Sequence, residues 1–448
     1  MISKEDCQKI IDTAISHATG KADGIEIHVN SGLYATSRFA NNEMTQNQAP
    51  DTTSVSVRTI VEGSQARLSS DKIGLEDVKQ LVDNAITVTK LLEKDPKLLP
   101  LLGPQESTNN LVNRFDDKAA YETAEQRAAQ VQTIIKTAKA DKLQGAGTVS
   151  SGHSFLAIAN SAGLNQYYRE SEAECSITMV APGSSGWAKA GGPFMKYVDT
   201  EAMAIKAAKK AVSSADPVEI EPGHYTVILE PSAVLDLTGD FWYDFAATSH
   251  LDKLSCFLGK VGKQVLGSNI TIYDDVYHPL QSGSPFDAEG MPRKKVCLVE
   301  KGVLKNLVYG RRAAKEFSVE PTGHGLTEPN SRGEMPRNIV IEGGNSSLDE
   351  MIRSTNRGVL LTRVWYVREV DESKKIVTGM TRDGTFLVEN GKIKCGVKNL
   401  RFNESIIEML NKVEMLGPTQ RTLGEESSPA VVPAMKVAYF NFESTTKF

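Results

Sequence analysis

Apolar and polar positions along this 448-residue chain follow two rhythms. Between residues 4 and 19, Cys7, Ile10, Ile11, Ala14 and Ile15 recur at the spacing of one helix face. Strict alternation follows. Ile25, Ile27 and Val29 alternate with polar residues over Gly24–Asn30, and a similar run spans Thr53–Val61, so both stretches read as half-buried strands. Helical spacing returns at Leu75–Leu92, where Val78, Leu81, Val82, Ala85 and Ile86 share a face, then at Lys118–Ala140 and Thr200–Ser213.

The first half looks duplicated. Phe39-Ala40-Asn41-Asn42 matches Ile158-Ala159-Asn160-Ser161 at an offset of 119 (160 − 41), and Gly63-Ser64 matches Gly183-Ser184 at 120 (183 − 63). The reading is a repeated strand-strand-strand-helix unit, over about residues 20–95 and 140–214. Two such units laying helices on one shared sheet predict a two-layer α/β domain over residues 1–215, since neither unit can bury its apolar face alone. Chance likeness of two α/β stretches is the alternative.

Ser214–Gly223, with two prolines and several acids, marks a boundary. Beyond it strand-like runs dominate: Tyr225–Leu229, Ile270–Tyr273, Lys295–Val299, Leu304–Tyr309, Asn338–Glu342, Val359–Arg368, Lys375–Thr381, Thr385–Val388, Lys392–Val397 and Met435–Phe440. Turn signals stand at Glu300-Lys301-Gly302, Arg382-Asp383-Gly384 and Glu389-Asn390-Gly391, the last because both central residues of a type I′ turn need positive φ. Residues 216–448 therefore predict a mainly antiparallel β domain with a few helices, among them Leu348–Arg353 and Glu404–Val413. The fold class expected for the whole chain is α+β.

Composition narrows the function. A net charge of −5 argues against a broad nucleic-acid face, which needs concentrated Lys and Arg. Five scattered cysteines form no C-x-x-C pair, the N-terminal residues lack the apolar run of a signal peptide, and no apolar window approaches a membrane span. The expectation is a cytoplasmic, reduced protein with no membrane contact.

The stretch around which the second half is organised runs from Glu221 to Gly267: a strand at His224–Leu229, a helix at Ser232–Ala247, then a Gly- and Lys-rich patch. That order is followed by SCFLGKVGKQVLG, by PFDAEG at Pro285–Gly290, and by CLVEKGVLKNLVYGRRAA from Cys297. PTGHG at Pro321–Gly325, VLLTRVWYVREV, and LVENGKI followed by LRFNES complete the set. The ordered set, over most of residues 220–430, resembles the TldD/PmbA family, often labelled modulators of DNA gyrase. In the TldD branch the resemblance implies a metallopeptidase whose central helix carries His-Glu-x-x-x-His. An ungapped count puts that motif on Thr238-Gly239-Asp240-Phe241-Trp242-Tyr243, so Thr238, Gly239 and Tyr243 occupy the ligand and acid positions. None can replace an imidazole pair as a zinc site. The closest two of seven histidines, His17 and His28, are 11 residues apart (28 − 17), and the tail from Leu416 lacks the family's late cysteine. The chain therefore looks like the PmbA/TldE branch. That resemblance implies a subunit without a metal or other cofactor, in an assembly acting on unfolded peptides, partnered by a TldD-like subunit or by a second copy of itself.

Other constellations carry blander alternatives. Asp236, Asp240 and Asp244 stand at i, i+4, i+8 on the expected helix and could hold a hard cation, or form a solvated face. Asp274, Asp275 and His278 read as a polar loop cluster, and the adjacency of Ser249 and His250 says nothing of a triad. Trp242 and Tyr243 are expected to fill the space of the missing metal site. His324, flanked by Gly323 and Gly325, is a candidate for a peptide groove or a structural turn. On Val359–Val367, Leu360, Thr362, Val364 and Tyr366 would face one way and Leu361, Arg363, Trp365 and Val367 the other. Arg363 and Trp365 then mark a groove or a dimer interface through the C-terminal domain, with a buried central strand as the alternative. No Walker A loop and no G-x-G-x-x-G after a strand occur. The expected function is a metal-free subunit of a TldD-type peptidase assembly. A stand-alone hydrolase with an unrecognised site, or a homo-oligomeric peptide-binding scaffold, are the alternatives.

Overall fold

A computed structural model describes residues 1–106 and 112–446. The chain begins with α1 (Lys4–Ala18), β1 (Gly24–Ala40), β2 (Glu43–Gln48), β3 (Asp51–Val61), β4 (Ser64–Ser70) and α2 (Leu75–Thr89). It continues with α3 (Asp117–Ala120), α4 (Ala124–Ala140), β5 (Gln144–Asn160), β6 (Asn165–Ala181), β7 (Ser184–Gly192) and α5 (Thr200–Ser213). Side-chain caps fix several helix starts: Ser3 accepts from Asp6 N–H at 3.0 Å, and Thr123 and Gln126 form a reciprocal capping box.

The seven strands form one antiparallel sheet in the order β4-β3-β1-β5-β6-β7, with β2 paired to β1 alone. That order is symmetric about the β1–β5 pair. Equivalent elements start 120 residues apart: α4 after α1 (124 − 4), β5 after β1 (144 − 24) and β7 after β4 (184 − 64). Each repeat is larger than the sequence indicates, because a leading helix belongs to it. It is also cut differently, since Pro50 divides in two the strand that β6 runs through unbroken. The predicted helix from Lys118 to Ala140 likewise breaks at Tyr121–Thr123.

Ile25, Ile27, Val29 and Phe39 of β1 and Val149, Phe155, Ala157 and Ala159 of β5 have odd numbers, so they share the face covered by α1, α2, α4 and α5. The even-numbered face carries Glu26, His28, Leu156, Ile158, Tyr168, Glu170 and Glu172. That face meets the second half of the chain through the contact of Ile158, Leu164 and Tyr168 with Phe286.

The second half contains β8 (Gly223–Leu229), α6 (Pro231–Leu237), α7 (Ala247–Leu251), β9 (Ile272–Asp274), β10 (Val296–Glu300), β11 (Val303–Leu304), α8 (Arg311–Phe317), β12 (Ile339–Ile341) and α9 (Leu348–Arg353). It ends with β13 (Arg357–Asp371), β14 (Ile376–Glu389), β15 (Lys392–Gly396), β16 (Leu400–Ser405), α10 (Ile406–Asn411), β17 (Val413–Leu416), β18 (Gln420–Thr422), β19 (Ala430–Val432) and β20 (Met435–Thr445). One sheet pairs β13-β8-β20-β16-β14, and β14 pairs again with β13, so the ring of strands closes on itself. A six-stranded sheet, β11-β10-β9-β12-β19-β18, lies beside it. Only β13–β8 and β12–β19 are parallel among the named strand pairs of this half. The fold class is α+β with antiparallel-rich sheets.

Asn390 (φ 50°) and Gly391 (φ 74°) form the expected tight turn between β14 and β15. Asp383 (φ 53°) and Gly384 (φ 114°) do not end a strand; they kink β14, which runs unbroken from residue 376 to 389. Of the expected strand at Leu304–Tyr309 only Leu304 is in a strand, as the last residue of β11, and the helix at Glu404–Val413 shrinks to six because β16 extends to Ser405. The alternation expected along β13 fails as well. Bulges between Leu361 and Arg363 and between Trp365 and Arg368 shift the pleat, so Leu361, Val364 and Val367 all enter the main core. Tyr366 absorbs the second bulge at φ 56° and points outward.

Candidate functional site

The stretch from Ser232 to Ala247 is not one helix. α6 stops at Leu237, Thr238 caps it, and residues Gly239–Phe245 wind as a tighter 3-10 segment. Local chemistry explains the break. Thr238 Oγ1 donates back to the carbonyl of Val234 at 2.9 Å, which competes with the helical ladder. Asp236 accepts three backbone N–H groups, from Glu425, Glu426 and Ser427, and ties α6 to that loop. The tighter winding turns Phe241, Trp242 and Phe245 into a cluster with Phe257. Trp242 therefore belongs to the core.

The three acids expected on one face are separated by this break. Asp236 holds the loop, Asp240 is exposed, and Asp244 is buried against Lys375 at 2.8 Å while accepting from Cys256 N–H at 2.7 Å. Thr238 is buried and Tyr243 is half-buried, donating to the Arg332 carbonyl at 3.4 Å. A Cβ at Gly239 would sit 2.5 Å from Ser427 Oγ. Among the described residues no three His, Cys, Asp or Glu side chains gather as a metal-ligand group. These positions offer no imidazole and no thiolate, and a side chain at residue 239 would have to displace the Ser427 hydroxyl, so they do not fit a catalytic zinc. Ser249 and His250 are likewise apart in function: Ser249 donates to the Ala246 carbonyl, and His250 meets the Asp244 carbonyl.

His324 lies with its side chain 0% exposed. Its Nδ1 is 2.9 Å from Thr322 Oγ1, a hydrogen bond, and its Nε2 stands 2.9 Å from Asp274 Oδ1, an ion-pair contact without hydrogen-bond alignment. Asp274 also accepts N–H bonds from Arg337 and Asn338 at 2.6 and 2.9 Å. Burial would raise its carboxyl, but the charges of His324 and Arg293 outweigh that and hold it below the usual range. Asp275 pairs instead with Lys295, and His278 Nδ1 accepts from Leu280 N–H, so the three do not cluster.

Next to His324, the 285–293 segment folds as a tight hairpin: Phe286 bridges to Pro292, and Asp287 N–H reaches the Met291 carbonyl at 2.9 Å. It holds two buried carboxylates, Asp287 and Glu289. Burial raises both, and the charge of Glu289 adds to the rise at Asp287, which reaches about 7. Glu289 meets Arg311 at 3.3 Å, and Arg311 reaches the Pro100 carbonyl at 2.7 Å.

These contacts belong to a charged seam between the halves. Glu26 accepts from Arg58 at 2.9 Å and Arg67 at 2.5 Å and lies 3.3 Å from His28. Burial alone would raise the Glu26 carboxyl, but His28, Arg58 and Arg67 hold it at about 2. Arg67 Nε donates to the Glu328 carbonyl at 2.5 Å, and Arg312 bridges Asp95 and Glu328 at 2.6 and 3.2 Å. Sequence reasoning missed this cluster. The carriers of the signal were polar residues at buried parity on a strand, Glu26 and His28 between Ile25, Ile27 and Val29.

Arg363 faces the first half of the same chain, whereas the ring contacts of Trp365 are within its own half. Arg363 is buried and binds Asp383, with its Nε 2.7 Å from Oδ2, and its guanidinium stands 4.9 Å from the ring of Trp187 on β7. Trp365 is half-buried, with Arg382 at 4.8 Å and Arg363 at 5.7 Å from its ring.

Two hollows lie along the even face of the first sheet. One, of about 680 Å³, is lined by Tyr34, Tyr168, Glu170, Glu172, Ser282 and Arg421 among others. Glu172 is reached by solvent there, and its carboxyl is raised to about 6 by partial desolvation against the cleft wall and by the charges of Glu174 and Glu170. The other, of about 310 Å³, adjoins it through Leu156, Ser282 and Ser284, and is walled by Asp287, Arg293, His324, Arg337 and Asn338.

Comparison with known proteins matches this architecture. The family model described as PmbA/TldA metallopeptidase central domain matches residues 104–215, and that described as PmbA/TldA metallopeptidase C-terminal domain matches residues 222–444. The chain belongs to the PmbA/TldD metallopeptidase family. Metalloprotease PmbA of Escherichia coli O157:H7 is 22% identical over 452 aligned positions, 96% of each chain. The Metalloprotease TldD homolog of Buchnera aphidicola is 32% identical over 212 residues, which are 47% of this chain and 42% of that one. Among solved structures, TldE from Thermococcus kodakarensis shares the fold with a TM-score of 0.86 at 21% identity, covering 97% of this chain and 100% of the other. A protein titled a modulator of a DNA gyrase, from Thermotoga maritima, gives 0.82 at 20% identity, covering 98% and 100%.

Proposed function

We propose that this chain is a PmbA/TldE-like subunit with no metal site of its own, acting in the cytoplasm beside a metal-bearing TldD-type subunit on unfolded peptides. A second copy of the chain is the partner if no such subunit is present. One observation carries the reading. The positions that the family resemblance assigns to two histidines and a glutamate hold Thr238, Gly239 and Tyr243, beyond the end of a helix that stops at Leu237, with Ser427 Oγ 2.5 Å from where a Cβ of residue 239 would stand. Peptide handling has its own support. All six residues of β2 are exposed, and that strand is paired along one edge only, which leaves backbone groups for an added strand. A hydrolase centred on His324 has less support, because the ring is fully buried, its Nδ1 bonds Thr322 and its Nε2 faces the Asp274 carboxylate.

The test is elemental analysis and a peptidase assay on the purified chain, alone and mixed with a TldD-type subunit, using an unfolded polypeptide. The expected result is no stoichiometric zinc after dialysis, no cleavage by the chain alone, and cleavage by the mixture. One equivalent of tightly bound zinc, with cleavage by the isolated chain, overturns the reading. Light scattering at micromolar concentration reads the self-association, and a mass of one chain removes the homodimer.

A further inference from the structure

The two adjoining hollows differ in chemistry, and the smaller one holds a cation that the chain leaves unsatisfied. Arg293 lines the 310 Å³ cavity. Its backbone is fixed on both sides: its N–H donates to the Pro285 carbonyl at 2.8 Å and its carbonyl accepts from Tyr277 Oη at 2.8 Å. The guanidinium is enclosed, yet among the described residues neither Nε nor Nη1 has a hydrogen-bond partner. Buried guanidinium donors left unpaired are uncommon and costly. The acids whose charge Arg293 feels are Asp274 and Asp287, and both are committed elsewhere. Asp274 Oδ2 accepts two backbone N–H groups, and its Oδ1 stands 2.9 Å from His324 Nε2 as an ion-pair contact. Asp287 accepts from the N–H groups of Gly325, Glu289 and Met291 at 2.7, 2.9 and 2.9 Å. Arg337 adds a second positive charge to the wall, and Ser284 and Asn338 add neutral polar groups.

A planar fork on a rigid hairpin, with donors to spare, matches a carboxylate. The larger hollow provides what precedes such a carboxylate in a peptide. It is continuous with the cavity at Leu156, Ser282 and Ser284, has the Tyr34 and Tyr168 side chains in its wall, and carries the accessible acid Glu172. We propose that the Arg293 cavity binds the terminal carboxylate of a peptide whose preceding residues lie in the adjoining cleft. This deepens the peptide-handling reading and rests on it: the chain grips peptides by their C-terminal end.

The experiment uses the full chain and calorimetric titration with three peptides of one length: acetyl-Ala-Lys-Ala-Leu-Ala as the free acid, the same peptide as its carboxamide, and acetyl-Ala-Lys-Asp-Leu-Ala carboxamide. The expected result is binding of the free acid at least tenfold tighter than either amide. Arg293→Met, with its fold checked by circular dichroism, is expected to reduce that preference to under threefold, while Arg293→Lys keeps part of it. Equal affinity of free acid and carboxamide for the unaltered chain overturns the proposal without any variant, as does no binding of either at millimolar concentration. Equal binding of the internal aspartate peptide and the free acid overturns the assignment to a terminal carboxylate. A preference that survives intact in a folded Arg293→Met chain overturns the role of Arg293. None of these outcomes touches metal content or the dependence of cleavage on a TldD-type subunit, so failure here is distinct from failure of the subunit reading.

Discussion

Glu26→Gln is the sharpest test of how the two halves are held. Glu26 is 2% exposed and receives Arg58 at 2.9 Å and Arg67 at 2.5 Å, while Arg67 passes the connection to the Glu328 carbonyl of the other half. Glutamine keeps the shape and removes the charge, which takes from Arg58 and Arg67 the one carboxylate that both contact directly. Breaking a buried pair from one side costs about 3–5 kcal/mol, and that is the expected loss at pH 7. The pH dependence gives an independent magnitude. The folded carboxyl sits at about 2 against an ordinary value of 4.5, a gap of roughly 2.5 units or about 3 kcal/mol. Because the folded value is depressed, this stability is present in full above pH 4.5 and is lost as pH falls toward 2. About 2 kcal/mol of it is gone by pH 3. Urea unfolding of both chains at intervals from pH 6 to pH 3 reads the two numbers. The curves should stand 3–5 kcal/mol apart at the top of the range and converge by about 2 kcal/mol at its foot. A difference under about 1 kcal/mol at pH 6, or parallel curves down to pH 3, would refute the idea that this carboxylate organises the seam.

Three further outcomes follow from the same geometry. The triple variant Thr238→His, Gly239→Glu, Tyr243→His should gain no stoichiometric zinc by elemental analysis, because α6 ends before these positions and residue 239 has Ser427 against it; overpacking there should also lower stability by about 1–3 kcal/mol. Burial pushes the Lys210 amine down to about 8 despite its 2.6 Å contact with Glu230. Since that folded value lies below the ordinary 10.5, the unfolded chain binds more protons in between, and this group's contribution to stability rises from pH 8 to 10.5. Thermal melting of the unaltered chain and of Lys210→Met across that range should show the steeper rise in the former, and equal slopes would exclude it. Limited proteolysis should first cut within residues 214–223, where Asp216, Val218 and Glu219 are exposed, and the two fragments should then co-elute on gel filtration because the seam still joins them; a first stable cut within 24–61 or 295–310 would contradict the proposed boundary.

The parts of this fold that were legible in the sequence are those where a local rule and the tertiary structure agree. Thr200–Ser213 and Leu348–Arg353 are helices with the residues expected, because periodicity and an acidic or hydroxyl cap coincide at both. The repeat proposed for the first half rests on a similar local signal: turn residues recur at offsets of 119 and 120. What was not legible is decided across long sequence separations. β1 runs for 17 residues although its second part reads as polar, since it is central in its sheet and its backbone is satisfied by β3 or β2 on one side and β5 on the other. The break after Leu237 depends on a loop almost two hundred residues away, whose N–H groups Asp236 gathers.

The candidate site shows the same division. The absence of the histidine pair could be read from spacing alone, since a metal site has fixed residue types at short intervals. Arg293 could not be found that way. Its significance comes from what its neighbours are already doing: Asp274 is occupied by His324, from a turn 50 residues on, and Asp287 by backbone groups of Gly325, Glu289 and Met291. A charge left over after such an accounting has no sequence signature. It emerges when every nearby acceptor is assigned and one donor group remains. The two readings therefore draw on different residues: the first on the absence of an imidazole pair at Thr238–Tyr243, the second on a guanidinium that the 285–293 hairpin holds in place.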